Sequence, residues 1–221
     1  MNSMFETLLQ LPLFQGMTKE DLTRILGIVK LHFRKYKAGE TIIKSGTTCD
    51  RFEFILHGEV DASTTSPHAA YTFHEYFHAP HVVEPYSMFG MYTQYAANYV
   101  AVTEVHTVSI SKSFILNELF NYEIFRFNYT NQLCNRSQQL SKRLWKQPSD
   151  QLEKRIIQFI IHHVERPAGR KSIKIKMEEL AKLLNSTRLS VSKALNELEA
   201  QGLLELYRGE IVVPDAKVFF S

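Results

Sequence analysis

The 221-residue chain is 44% hydrophobic and 12% aromatic, ample for packed cores, which excludes an intrinsically disordered protein and leaves room for one large domain or two modest ones. Its formal net charge of +3 falls well short of a histone-like binder, so any nucleic-acid surface must be a local patch. Two distant cysteines without a Cys-x-x-Cys, no basic segment ahead of the apolar N-terminal residues and no apolar run of bilayer length point to a cytoplasmic, non-exported chain without a disulfide framework, thiolate zinc site or membrane association.

Asn2 to Phe14 reads as a short amphipathic helix ending near Pro12, and Thr18 followed by Lys19-Glu20-Asp21 caps a second. From Lys30 the pattern changes to period-two segments separated by glycines: 31–36, 41–43, 51–56 and 59–62, with further strands predicted over 71–77, 81–84 and 100–110. Short strands at this spacing form an antiparallel roll or sandwich. Glycine is then absent from Ser111 until Gly169, and the composition becomes helical. A long helix is predicted from Tyr122 to Lys146, carrying Ile124, Phe127, Asn131, Cys134, Gln138, Ser141 and Trp145 on one half-apolar stripe. Pro148-Ser149-Asp150 breaks it and starts another helix over 151–165, with Leu152, Ile156, Phe159, Ile160 and Val164 inward.

The last third of the chain repeats a known order of elements. Ile173 to Lys176 is an alternating strand, 177–184 a helix with Leu180, Ala181 and Leu184 inward, 185–187 a turn, and 188–201 a second helix burying Val191, Ala194, Leu195 and Leu198. Gly202 stops it, and 203–213 reads as a hairpin. This is a winged helix-turn-helix, whose second helix enters the major groove of double-stranded DNA by its first two turns. Arg188 can make a bidentate contact to guanine, Thr187 and Ser190 can bond phosphate or base, and Lys193 follows one turn along. Lys174, Lys176 and Arg208 complete the expected DNA-contacting set, and Arg166, Arg170 and Lys171 belong to the same acid-free basic run.

The segment Met177 to Leu195 resembles the DNA-binding motif of the Crp/Fnr superfamily of bacterial transcription regulators. Leu11-Pro12-Leu13-Phe14, Tyr36-Lys37-Ala38-Gly39-Glu40-Thr41-Ile42 and Phe54-Ile55-Leu56-His57-Gly58-Glu59-Val60 resemble the start of that family's β-roll sensor, and 151–160 the helix opening its DNA-binding domain. The resemblance implies an α+β fold with an N-terminal antiparallel β-roll (1–118), a dimerisation helix (119–147) and a winged helix-turn-helix (148–221). It also implies a homodimer on a two-fold-related operator, with RNA polymerase as a further partner, and base reading by Arg188, Leu189 and Lys193. Leu189 stands where the family often has a glutamate and Lys193 replaces a common arginine, so the DNA sequence read differs from the usual one.

In cyclic-nucleotide-binding members a glycine-glutamate pair and a later arginine-serine pair hold the ribose and cyclic phosphate. Here Phe89-Gly90-Met91 stands for the first, and Tyr95-Ala96 or a near neighbour for the second. Arg51 is the sole arginine or lysine between Lys44 and Lys112, so the phosphate lacks a bidentate cation, which argues against cyclic AMP. Phe89, Gly90, Met91, Tyr92 and Tyr95 are the candidate pocket for an unknown effector, with Tyr71, Phe73, Tyr76, Phe77, Tyr86 and Tyr99 as further aromatics.

His57, His68, His74, His78, His81 and His106 have no zinc-motif spacing, so no metal or other cofactor is expected, and Cys49 and Cys134 read as buried, inert thiols. A reading from another class is a small-molecule-binding or structural cupin-like protein whose winged helix mediates protein contacts. A cupin-like enzyme needs a His-x-His triad with a carboxylate, which His78, His81, Glu75 and Glu84 do not form, so no enzymatic activity is expected.

Overall fold

The computed structural model describes residues 4–144 and 149–220. In chain order these form α1 (Met4–Gln10), α2 (Lys19–Ile28), β1 (His32–Tyr36), β2 (Thr41–Ile43), β3 (Arg51–His57), β4 (Glu59–Thr65), β5 (Tyr71–His78), β6 (His81–Val82), β7 (Asn98–Ala101), β8 (Val105–Ser111), α3 (Lys112–Asn117), α4 (Glu123–Leu144), α5 (Leu152–His163), β9 (Lys171–Ile175), α6 (Met177–Leu183), α7 (Arg188–Ala200), β10 (Glu205–Tyr207) and β11 (Glu210–Val213). The fold is α+β, and it divides into two compact units: 4–60 with His78–Leu144, and Asp61–Phe77 with 149–220.

In the first unit β1, β8, β3 and β6 form an antiparallel sheet in that order. Phe52 lies opposite Ile110 and Phe54 opposite Val108, so alternation places these four on one buried face. Phe14 packs its ring 5.7 Å from Phe54 and 5.4 Å from Phe125 of α4, while Tyr129 reaches Phe52 at 5.7 Å. Thr18 caps α2 as expected, its hydroxyl accepting from the Asp21 N–H at 3.1 Å. A second antiparallel pair, β2 with β7, is continued by backbone bonds that join Thr47 to Tyr95 and Cys49 to Thr93. At Gly58 φ is +91°, and a Cβ would strike the Glu104 carbonyl. Only glycine fits there.

The second unit is the helix-turn-helix with its wing, together with β5 and most of β4. β10, β11 and β9 form an antiparallel ladder, and β5 extends it by pairing Tyr71–Glu75 with Ile175–Lys171. Phe73 joins Ile156, Ile160, Ile173, Leu180, Val191 and Leu195 in one core.

β5, in the segment Asp61–Phe77, bonds β9 and buries Phe73 in the core of the second unit. The strand expected over 100–110 is two, β7 and β8, separated by a bend at Val102–Glu104 where Val102 is exposed. The N-terminal helix α1 ends ahead of Pro12, as expected, and a separate 3-10 turn follows at Pro12–Phe14. The long helix starts one residue later than expected, and its expected end at Trp145-Lys146 and the break at Pro148 lie outside the described residues.

Candidate nucleic-acid interface and sensor loop

The turn between α6 and α7 is built by backbone chemistry. Asn185 adopts a left-handed φ of 46°, Ser186 N–H returns to Ala181 O at 2.9 Å, and Arg155 Nη1 donates to Leu184 O at 2.8 Å. Thr187 then caps α7: its hydroxyl accepts from the Ser190 N–H at 3.1 Å and pairs with the Ser190 hydroxyl at 2.8 Å. Val191, Ala194, Leu195 and Leu198 are buried, and the small Ala181 lies 5% exposed in the core they share with α6. The opposite face projects Arg188, Leu189, Ser190 and Lys193 into solvent, Leu189 at 81% exposure. Arg188 Nη1 lies 3.1 Å from Glu178 Oε1, and Lys193 Nζ 3.9 Å from Glu197. Leu206 N–H donates to Glu199 Oε1 at 2.8 Å, tying the wing to α7.

The basic run divides by strand alternation. Lys174 and Lys176 are exposed and line a groove of about 540 Å³ with His68, Glu179 and Gly209, and Arg208 is exposed at the wing turn. Lys171 faces inward on β9 and is 0% exposed, its Nζ 3.3 Å from Glu75 Oε1 and donating to Ala168 O at 2.8 Å. Glu75 also accepts from the N–H groups of Glu165 (2.9 Å) and Arg166 (2.8 Å). Burial pushes the Glu75 carboxyl up and the Lys171 amine down against their mutual attraction. Lys171 is therefore a core residue, not a phosphate contact. Arg166 and Arg170 stand over the rings of Phe77 and Tyr76 at 5.7 and 5.0 Å.

The five residues expected to line an effector pocket are not brought together. Phe89 belongs to an aromatic group with Phe120 (5.9 Å) and Tyr129 (6.1 Å), under the Lys112 ammonium. Gly90, Met91 and Tyr92 form an exposed loop tip, Met91 at 90% and Tyr92 at 78% exposure. Met88 and Tyr95, on either side of that tip, turn inward. Tyr95 donates its hydroxyl to Arg51 O at 2.9 Å, and its burial raises its pKa. It lines a pocket of about 320 Å³ with Arg34, Lys44, Arg51 and Glu53. Glu53 is buried, its carboxyl raised by desolvation, and its Oε1 has no hydrogen-bond partner.

The residue that organises this loop is Glu84, which sequence reasoning used only to test a metal triad. It is 1% exposed and accepts from Ser87 Oγ (2.8 Å), Ala96 N–H (2.7 Å) and Ala97 N–H (2.8 Å). Its signal was available: a carboxylate directly after the apolar Val82-Val83 and before Pro85. The histidines take local partners, His74 with Asp61 at 2.8 Å and His106 with Glu104 at 2.8 Å. Among the described residues no three His, Cys, Asp or Glu side chains form a metal-holding group. Cys49 is buried, with its thiol raised by desolvation, whereas Cys134 is exposed, contrary to expectation, because it lies on the outer face of α4.

Two family models match the chain, the cyclic nucleotide-binding domain over residues 33–122 and the Crp-like helix-turn-helix domain over residues 154–218. The chain belongs to the Crp/Fnr superfamily. Its two domains are those of a DNA-binding transcription regulator. Comparison with curated proteins finds no match. Among solved structures, this Crp/Fnr member is similar to the catabolite activator protein of Thermus thermophilus at 18% identity, over 95% of this chain and 96% of that one, with a TM-score of 0.51. It is similar to the c-di-GMP-responsive global regulator CLP of Xanthomonas campestris at 17% identity over 89% and 99%, with a TM-score of 0.51. The sensor domain of DNR from Pseudomonas aeruginosa gives 17% identity over 66% and 94%, with a TM-score of 0.53. At these identities the likeness is one of fold.

Tyr95 and Ala96 supply no cation, and the Ala96 N–H is held by Glu84. On α4 one face, Phe125 and Tyr129, is buried, while Ile124, Phe127, Asn131, Cys134 and Gln138 are all exposed, Phe127 at 65%. The stripe expected to meet a second copy is thus uncovered in a single chain.

Proposed function

We propose that this transcription regulator binds a two-fold-related operator as a homodimer, reads bases through Arg188, Leu189 and Lys193 of α7, and acts in the cytoplasm with RNA polymerase as a partner. The carrying observation is the capped N-terminus of α7, which presents these three side chains outward from a fully buried opposite face. Thr187 and Ser190 fix the start of that helix through their hydroxyl pair, and Lys174, Lys176 and Arg208 supply phosphate contacts. The exposed stripe of α4 supports pairing with a second copy, because an apolar row including Phe127 beside Asn131 and Gln138 suits a helix pair set for register. Paired recognition helices would then sit about 34–36 Å apart, one turn of duplex. The effector, on this reading, is not cyclic AMP.

Selection of bound duplexes from a random pool tests the reading. The expected result is an enriched palindromic consensus whose half-site is read less strictly by Arg188→Ala. Absence of enrichment would refute DNA reading, and a consensus without two-fold symmetry, or a chain that sediments as a monomer at micromolar concentration, would refute the dimer. No helix among the described residues is long and apolar enough to cross a membrane.

A further inference from the structure

Glu84 has a left-handed backbone, φ 35°, that side-chain-bearing residues rarely adopt. The conformation turns its side chain back into the loop that follows, and both oxygens are engaged there. Oε1 accepts from the Ala97 N–H at 2.8 Å, and Oε2 from the Ala96 N–H at 2.7 Å and the Ser87 hydroxyl at 2.8 Å. Two successive backbone N–H groups and a hydroxyl converging on one buried point make an anion cradle. The two successive N–H groups point to a common centre because the loop is folded around this acceptor, and without it the buried Ala97 N–H would lose its partner. The acceptor here is covalently part of the chain.

The resemblance puts the phosphate-holding arginine-serine pair of nucleotide-binding members at Tyr95-Ala96 or a near neighbour, which is where these donors lie. A cyclic phosphate arriving at this place would have to displace a tethered carboxylate and would gain no cation from Tyr95, Ala96 or Ala97. The ammonium of Lys112 donates instead to Met88 O at 2.7 Å and lies over the Phe89 ring.

We propose that Glu84 is a built-in anion occupying the phosphate seat of the sensor loop, so that the loop is held by its own carboxylate and takes no anionic nucleotide there. The proposal rests on the geometry of the N-terminal unit and stands or falls separately from DNA binding. Emptying the seat should create an anion site. Glu84→Gly removes the carboxylate and suits the positive φ, and Glu84→Gln keeps the bulk without the charge.

The full-length protein and both variants would be followed by thermal unfolding and by the amide resonances of Ala96 and Ala97, titrated with inorganic phosphate, with cyclic AMP and with sodium chloride at matched ionic strength. The wild type should respond to phosphate no more than to chloride, and its two amides should not move with cyclic AMP. Glu84→Gly should unfold at lower temperature and recover saturably with phosphate, its Ala96 and Ala97 amides shifting together, and should bind phosphate at least about tenfold more tightly than the wild type. If Glu84→Gly does not fold, Glu84→Gln carries the test, with a lower unfolding temperature and phosphate-specific movement of the same amides. Wild-type binding of phosphate or cyclic AMP at Ala96 and Ala97 would overturn the proposal. So would a folded variant as stable as the wild type, or one whose amides ignore phosphate.

Discussion

Replacing Lys171 by Met removes one half of a buried ion pair and separates a structural lysine from the DNA-facing ones beside it. The side chains of Lys171 and Glu75 are 0% and 6% exposed, with 3.3 Å between nitrogen and oxygen. At an effective dielectric constant of about 20 their attraction is about 5 kcal/mol, offset by a desolvation penalty of several kcal/mol per ion, so the intact pair is close to neutral for stability. One-sided removal is not neutral: it leaves an uncompensated carboxylate, at a cost of about 3–5 kcal/mol. The Glu165 and Arg166 N–H groups still bond Glu75, which places the expected loss near the lower figure, about 3 kcal/mol.

The assay is amide hydrogen exchange at Phe73 and Ile173, facing residues of β5 and β9. It should accelerate about 10²-fold, with a fall of roughly 1.5 M in the urea midpoint of the C-terminal unit if its slope is about 2 kcal/mol/M. Without Lys171, Glu75 has lost the ammonium that opposed its desolvation, so its folded-state pKa stands further above the unfolded one. A carboxyl shifted in this direction contributes stability that is present at low pH and lost as pH rises through the folded value. The deficit should therefore be smaller at pH 5 than at pH 7. The double variant Glu75→Gln/Lys171→Met, with no charge left to bury, should return to within about 1–2 kcal/mol of the wild type. Lys174→Ala is the control, since its side chain is outside: it should leave exchange unchanged and reduce the salt dependence of DNA affinity by about one phosphate contact. If Lys171→Met instead reduces that salt slope with normal exchange, the burial argument is wrong.

Arg188→Ala should weaken specific DNA by about 1–3 kcal/mol without lowering the unfolding temperature, since its pairing with Glu178 is an exposed one; an equal loss on random-sequence duplex would show that Arg188 does not read a base. Glu178→Gln, which frees the guanidinium, should tighten binding by at most about 1 kcal/mol in a fluorescence-anisotropy titration. Phe127→Glu should raise the dimer dissociation constant in sedimentation velocity, and an unchanged dimer would place the interface away from the α4 stripe. Gly58→Ala, with a positive φ and a carbonyl in the path of its Cβ, should destabilise the N-terminal unit by about 2 kcal/mol or more in thermal unfolding. A loss below about 0.5 kcal/mol would mean that the turn relaxes freely.

The C-terminal elements were legible because their periodicities are strong and local. The step from period two to 3.6 at Met177, the small Ala181 and the stop at Gly202 identify the two helices, and the four positions expected on the buried face of α7 are buried. What β5 pairs with was not legible, because alternation over 71–77 marks a strand without naming a partner a hundred residues away. Lys171 was misassigned for a different reason. Its position is in phase with Ile173 and Ile175, both inward, so alternation already placed it in the core, but its charge was weighed ahead of its phase. How the loop spreads Phe89, Gly90 and Met91, the first half-buried against Phe120 and the other two exposed, was not legible, because the three residues carry no periodic pattern.

The buried charges also change how the net charge bears on DNA. Glu53, Glu75 and Glu84 are buried, against the one buried ammonium of Lys171 among the described residues. Two of these carboxylates are spent on backbone N–H groups of their own chain, at Ala96-Ala97 and at Glu165-Arg166. Exposed acids do similar work at single points, Glu199 at Leu206 and Asp215 at Gly169 and Lys217. Those hydrogen bonds satisfy the carboxylates locally, and the charges an approaching duplex meets first are the exposed ones. Lys174, Lys176, Arg188, Lys193 and Arg208 are exposed cations of the C-terminal unit, so steering toward DNA rests on where α7 and the wing present them and not on the formal +3. A regulator of modest total charge can then steer onto a polyanion through one face, since the potential an approaching duplex meets depends on the charges left outside.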